Sequence, residues 1–162
     1  MSIGEIEPLY RSTLVHTKSD ARKHILIVED DVYYRNLVLW ILEDAGFRVT
    51  VAEDFSAAIK VVEGDQRVHL MLTDVQMPAG TPNGVAIGRM ARLRRHKLPI
   101  VYMTGFYDPA KLWAVEPDIP VLSKPFTGQN LLRVVEAALY PAGPSSPPSD
   151  CIACQQPGKI RG

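Results

Sequence analysis

The stretch Leu70-Met71-Leu72-Thr73-Asp74-Val75-Gln76-Met77-Pro78 constrains the fold more than any other in the chain. It reads as a short apolar strand that ends on a carboxylate and runs at once into a loop. A strand without polar alternation is one covered on both faces, as parallel strands between helix layers are. Asp74 then emerges at the carboxyl edge of a sheet, where open α/β proteins gather ligands and chemistry. One carboxylate in that place can also cap a following helix, so its meaning depends on what the other strands bring to the same edge.

Four further stretches read as strands. His24-Ile25-Leu26-Ile27-Val28 is a β-branched apolar run that stops at Glu29-Asp30-Asp31. Arg48 to Ala52 alternates Val49 and Val51, Pro99 to Met103 ends at Thr104-Gly105, and Val121-Leu122-Ser123 leads into Lys124-Pro125-Phe126. Helical spacing fills the gaps. Leu37, Val38, Ile41, Leu42 and Ala45 follow a capping Asp31 and stop at Gly46 as a C′ residue. Phe55, Ala58, Ile59 and Val62 follow Glu53-Asp54 and end at Gly64. A third helix is expected over about 85–96, a short one over about 108–115, and a last one over 129–139. In that last helix Thr127 is the cap, with Leu131, Leu132, Val135 and Leu139 facing inward. The cations Arg92, Arg94, Arg95, His96 and Lys97 suit a helix C-terminus; a nucleic-acid patch is the alternative, and a solvated helix end fits a neutral chain better. Strands alternating with helices specify an α/β fold: a five-stranded parallel sheet with helices on both faces and right-handed crossovers.

The 162 residues carry 18 Lys+Arg against 18 Asp+Glu, so no global field favours nucleic acid or an anionic membrane. No apolar run approaches the roughly 18 residues of a membrane span, and the N-terminus lacks a secretory pattern, so a cytoplasmic protein is expected. Residues 1–22 read as a flexible arm, 23–140 as one domain, and 141–162, rich in Pro, Gly, Ser and Gln, as a disordered tail. That tail is too short to form an output domain. Cys151 and Cys154 supply two of the four ligands a structural zinc site uses, so they read as incidental reduced thiols.

On this topology Glu29-Asp30, Asp74, Thr104 and Lys124 lie at four strand ends along one edge. Carboxylates packed together repel and take up protons unless a cation neutralises them. A hard divalent ion with oxygen ligands answers that need, and Mg²⁺ suits a few carboxylates with retained waters. Lys124 and the Thr104 hydroxyl would receive an incoming phosphoryl group, with Asp74 as its nucleophile.

With these groups in place the chain from about His24 to Tyr140 resembles the receiver domain of two-component response regulators, a flavodoxin-like (βα)5 fold. Ile-Val-Glu-Asp-Asp (27–31), Thr-Asp-Val-Gln-Met-Pro (73–78), Met-Thr-Gly (103–105) and Ser-Lys-Pro-Phe (123–126) carry the resemblance, in order and each at a strand end. It implies that Asp74 accepts phosphate from a sensor histidine kinase or a histidine phosphotransfer domain. It implies Mg²⁺ on Asp30, Asp74 and the Gln76 main-chain carbonyl, with Glu29 acting through water, and a cis bond before Pro125. Gln76 and Phe106 would flank the path of the hydrolytic water and modulate the lifetime of the phosphorylated form. Val121 stands where most receivers place the aromatic that reports phosphorylation, the loop over 78–84 is a residue or two longer than usual, and the segment between Thr104 and Lys124 is shortened. Docking of the kinase or phosphotransfer helix is expected on the first helix. There Tyr33, Tyr34 and Trp40 are either interface aromatics or, for Trp40 above all, core. Assembly, homodimer included, is left open.

The expected role is phosphorelay signalling by protein–protein contact. Chemistry is confined to self-phosphorylation and self-dephosphorylation, not to an enzyme acting on a separate substrate. A receiver-like scaffold that binds without phosphorylation is the alternative, and the intact acidic set, Thr104 and Lys124 argue against it. An aspartyl-phosphate phosphatase would want a second carboxylate just after Asp74, where Val75 and Gln76 stand. A flavin protein would want a Ser/Thr/Gly phosphate cradle after the first strand, where three carboxylates stand.

Overall fold

The computed structural model describes residues 22–105 and 116–141. The arm expected over 1–22 (Arg22 apart), the short helix over 108–115, Phe106, and the tail with Cys151 and Cys154 (Pro141 apart) lie outside these residues. Among the described residues five strands and four helices follow in the order β1 (His24–Val28), α1 (Val32–Asp44), β2 (Arg48–Ala52), α2 (Phe55–Glu63), β3 (Leu70–Asp74), α3 (Gly84–Arg94), β4 (Ile100–Thr104), β5 (Val121–Ser123) and α4 (Gly128–Leu139). All strand pairings are parallel, in the order β2-β1-β3-β4-β5. No helix among the described residues is long and apolar enough to cross a membrane.

The two-residue period of the strands divides the core into two layers. Leu26, Val28, Met71, Tyr102 and Val121 pack with Ala58 and Val62 of α2 and Ile87 and Ala91 of α3. Ile25, Ile27, Leu70, Leu72, Val101 and Met103 pack with Val38 and Leu42 of α1 and Leu131, Val134 and Val135 of α4. The strands β1, β3 and β4 are buried along their whole length, which is why their sequences show no polar alternation. Each such aliphatic side chain contributes about 1.5–3 kcal/mol by leaving water.

The helices start at the caps the sequence indicates. The side chains of Asp31, Asp54 and Thr127 accept from backbone N–H groups of the first turns of α1, α2 and α4, and Asn83 does so for α3. Helix α1 ends in a Schellman arrangement: Gly46, at φ +86°, donates to the Glu43 carbonyl at 2.9 Å and Phe47 to that of Leu42 at 3.0 Å. Three details differ from the sequence expectation. Helix α3 runs Gly84–Arg94 instead of 85–96, because the Arg95 backbone leaves helical geometry at φ −132°, ψ 81°. Strand β4 begins at Ile100 rather than Pro99, whose missing N–H leaves only its carbonyl to join the ladder, where Met71 donates to it. On α1 only Val38 and Leu42 are fully buried, while Leu37 and Ala45 are exposed; on α4 Val134 is buried and Leu132 and Leu139 are half-buried. The helices bear apolar residues over a wider arc than the sheet covers.

Gly84 sets how closely α3 approaches the end of β3. A Cβ at this position would lie 1.8 Å from the Asp74 carbonyl oxygen, inside any tolerable contact, and the Gly84 N–H donates to the Val75 carbonyl at 3.1 Å. The close packing of this helix start therefore holds the backbone on which the Asp74 side chain is mounted. Gly84→Ala is expected to cost about 1–3 kcal/mol, the usual penalty for forcing an extra carbon into packed surroundings, read as a lower denaturant midpoint. An unchanged midpoint would mean that α3 can slide away without loss.

Candidate functional site

Parallel pairing brings the ends of β1, β3, β4 and β5 to one edge, and a cleft of about 480 Å³ opens there. Glu29, Asp30, Asp74, Gln76, Lys124 and Pro125 line it. One carboxylate oxygen from each of Glu29, Asp30 and Asp74 falls within a mutual 4.8 Å. Asp31 is turned out of the cluster, because its side chain accepts from Tyr33 N–H at 2.8 Å and Tyr34 N–H at 3.1 Å. The run of three acidic residues thus splits into two that join the carboxylate cluster and one, at the rim of the cleft, that caps α1.

Among the described residues Lys124 is the only cation lining this cleft. Its Nζ donates to Glu29 Oε2 at 2.6 Å and lies 3.4 Å from Asp74 Oδ2. The Lys124 backbone N–H donates to the Thr104 carbonyl at 2.7 Å, so the lysine is anchored at both ends of its residue. The Lys124–Pro125 peptide is cis, as the resemblance implied. Thr104 is buried as the last residue of β4, and Gly105 forms the cleft wall beside it. Val121 is buried in the layer under α2 and α3.

Burial dominates the protonation of the two inner carboxyls. It pushes Glu29 above the usual carboxylate range, with the Lys124 hydrogen bond pulling the other way and the Asp74 charge adding to the rise. Asp74 is raised for the same first reason; Lys124 and the Gln76 N–H oppose the rise, and Asp30 reinforces it. A single ammonium faces three carboxylates, so the pocket holds uncompensated negative charge. Asp74 Oδ1 is also buried with no hydrogen-bond partner, which is costly for a carboxylate oxygen. An orphaned oxygen on one of three clustered carboxylates fits a hard divalent cation that prefers oxygen donors.

Aromatic residues close one side. Tyr34, in the first turn of α1, presents its ring face to Lys124 Nζ at 4.4 Å from the centroid, and Phe126 packs against Tyr34 at 6.2 Å. The sequence marks Tyr34 as an interface or a core aromatic, and no local signal gives it this place, since its partner lies 90 residues later. Trp40 and Tyr33 are exposed, which removes the core reading for both. Two of the cations near the end of α3 are engaged within the fold: Arg94 pairs with Glu63 at 2.9 Å, and Arg95 donates to the Val62, Gly64 and Gln66 carbonyls at the end of α2.

A protein-family model for the response regulator receiver domain matches residues 25–136. Among curated relatives, the chain is 33% identical over 124 residues to the response regulator receiver protein CpdR of Brucella abortus, covering 74% of this chain and 99% of that protein. It is 30% identical over 129 residues to the transcriptional regulatory protein FixJ of Bradyrhizobium diazoefficiens, covering 76% of this chain but only 60% of FixJ. Among solved structures, a response regulator receiver protein from Sinorhizobium medicae superposes with a TM-score of 0.66 at 30% identity, over 74% of this chain and 95% of that one.

The charge imbalance predicts a stability effect with a definite sign. A carboxyl whose pKa is raised by folding binds more protons in the native than in the unfolded state. Its stabilising share is complete below the unfolded value near 4 and is lost as pH rises through the raised folded value. Asp74→Asn is therefore expected to melt higher than the parent protein at pH 7 without divalent cations, with the difference shrinking toward pH 4. A variant that melts lower at pH 7 would show that Lys124 more than offsets the burial of Asp74.

Proposed function

The chain belongs to the response regulator receiver domain family, a family of phosphorelay signalling, and on that footing we propose that it carries a phosphoryl group on Asp74. The observation that carries this reading is a buried Asp74, its Oδ1 without a hydrogen-bond partner, clustered with two other acidic side chains beside one lysine. The carboxylate oxygen attacks the phosphorus of a phosphohistidine on a sensor kinase or phosphotransfer domain. The P–N bond breaks, its electron pair stays with the imidazole, and an aspartyl phosphate forms. Lys124 exchanges Glu29 for a phosphoryl oxygen as the new charge arrives, and the Thr104 hydroxyl donates to another. Water later attacks the phosphorus, releasing inorganic phosphate and restoring the carboxylate. The chain turns over no separate substrate.

Mg²⁺ is the cation that suits the site; Asp30, Asp74 and the Gln76 main-chain carbonyl would hold it, with Glu29 assisting through water, as the resemblance implies. When bound it supplies charge neutralisation for the phosphoryl oxygens. By resemblance, Gln76 and Phe106 flank the path of the attacking water and modulate the lifetime of the phosphorylated form. Val121, a buried β-branched residue in the place of the switching aromatic, has neither the reach nor the χ1 freedom to swing outward, which leaves the α1 side to communicate with partners. There Tyr33, Leu37 and Trp40 stand exposed at helical spacing of four and three, and we assign that face to docking of the kinase or phosphotransfer helix, in the cytoplasm.

Two experiments test this reading. A small phosphodonor with Mg²⁺ should label the full chain once, with a base-labile bond. Asp74→Asn should take up no label and Asp30→Ala should lose both metal binding and label; full labelling of Asp74→Asn removes the assignment. Trp40→Ala should leave labelling by the small donor unchanged while slowing transfer from a phosphorylated protein partner by about tenfold, the scale of a modest interface aromatic. Equal slowing with both donors would place Trp40 in the fold rather than the interface.

A further inference from the structure

The opposite edge of the sheet holds a second cleft, of about 540 Å³, at the amino ends of β1, β3 and β4. Among the described residues Lys23, Arg67, His69, Arg95, His96 and Lys97 line it, and no carboxylate does. We propose that this cleft binds a small oligophosphate anion, such as the phosphate chain of a nucleotide, independently of the chemistry at Asp74.

The first argument is electrostatic. Like charges gathered without a counter-charge repel, so such a group destabilises a fold unless something else is gained. The chain as a whole is neutral, so the concentration of positive charge is local. The ends of α2, α3 and α4 also face this edge, and their free carbonyls attract cations. Arg95 answers that attraction, since its guanidinium donates to three carbonyls around the end of α2, at 2.6–3.1 Å. Lys23, Arg67 and Lys97 do not. Among the described residues none of these three side chains is hydrogen-bonded to a carbonyl or paired with a carboxylate, and Lys23 Nζ rests over the Tyr140 ring at 5.6 Å. The imidazole of His69 feels the surplus, since burial first, and then Lys23, Arg67 and His24, hold it below the ordinary histidine range.

The second argument is shape and rigidity. Arg95 ties the α3–β4 connection to the end of α2, and the His24 N–H donates to His69 Nδ1 at 3.0 Å. His24 is itself buried, bonded through its ring to the Arg67 carbonyl and Thr50 Oγ1. The cleft walls are thereby fixed without a ligand. Val68, Leu98 and Leu139 supply an apolar floor. The volume is that of a small-molecule site, typically about 300–1,000 Å³, and not of a groove for a polymer. Cations arrive from three separate strand ends, which matches several adjacent negative charges better than one.

The test is titration of the full chain with inorganic tripolyphosphate and, separately, with ATP, both without divalent cations at about 0.15 M salt. Calorimetry should give saturable one-to-one binding. Amide shifts should fall on residues 67–69 and 95–97 and leave Asp74 unmoved. Arg67→Gln combined with Lys97→Gln should weaken binding at least about tenfold, the effect of losing hydrogen bonds to charged groups, while Asp74→Asn should bind as the parent does. Absence of saturable binding to both probes would overturn the proposal. So would shifts centred on Asp74, or equal affinity in the double variant.

Discussion

Everything at the carboxyl edge depends on one ammonium group held among three carboxylates. Lys124 Nζ sits 2.6 Å from Glu29 and 3.4 Å from Asp74, with both carboxylates almost out of contact with water. An ion pair in such a place contributes little net stability, because desolvation cancels much of the attraction. Its effect is on arrangement. With Lys124 donating to Glu29, Asp74 keeps one oxygen free, and the pocket remains short of positive charge. A site left with unmet negative charge is one that a cation, and then a phosphoryl group brought with it, can complete.

The sheet explains why this charge is not spread over the molecule. In a parallel sheet every strand points the same way, so all helix N-termini gather at one edge and all C-termini at the other. Helix N-termini favour negative groups and C-termini positive ones. The fold therefore permits acids at the ends of β1 and β3 and bases before β1, β3 and β4, far beyond what caps require. Equal totals of acidic and basic residues conceal this polarity. Zero net charge is a sound argument against a chain-wide attraction to nucleic acid, but it is silent on a cleft lined by six basic groups.

Much of this was legible in the sequence because the signals are local. The β-branched runs at Ile25–Val28 and Leu70–Leu72, the caps Asp31, Asp54 and Thr127, and the stop at Gly46 each declare themselves within a few residues, and the structure places them accordingly. The family motifs at the strand ends then brought Glu29, Asp30, Asp74 and Lys124 to one edge. What escaped depends on contacts between distant parts of the chain. Leu37 and Trp40 keep helical spacing yet face solvent, since periodicity identifies an apolar arc but not how much of it a sheet will cover. Arg95 looks in the sequence like a cap for its own helix and instead serves the end of α2, more than thirty residues earlier. Gly84 passes there as one more loop glycine, although the Asp74 carbonyl fills the space of its missing side chain.

Tyr34 joins these scales. Its backbone N–H is tied to the Asp31 cap at 3.1 Å, its ring lies under the Lys124 ammonium, and Phe126 backs it from two residues beyond that lysine. The first turn of α1 is thus coupled to the β5–α4 loop through the same cation that bridges Glu29 and Asp74. On the proposed reading, a Lys124 ammonium drawn from Glu29 toward a phosphoryl oxygen would alter its contact with Tyr34, because both rest on the same Nζ. Tyr34 belongs to the helix that also bears Tyr33, Leu37 and Trp40 on its exposed side. A displacement at its first turn reaches that surface through the rigid hydrogen-bonded backbone of α1, with no rotating aromatic needed at position 121. On that reading the chain would lack the usual reporter on β5 and still present the state of Asp74 on an outer face, since the cation and the helix bearing that face share a contact.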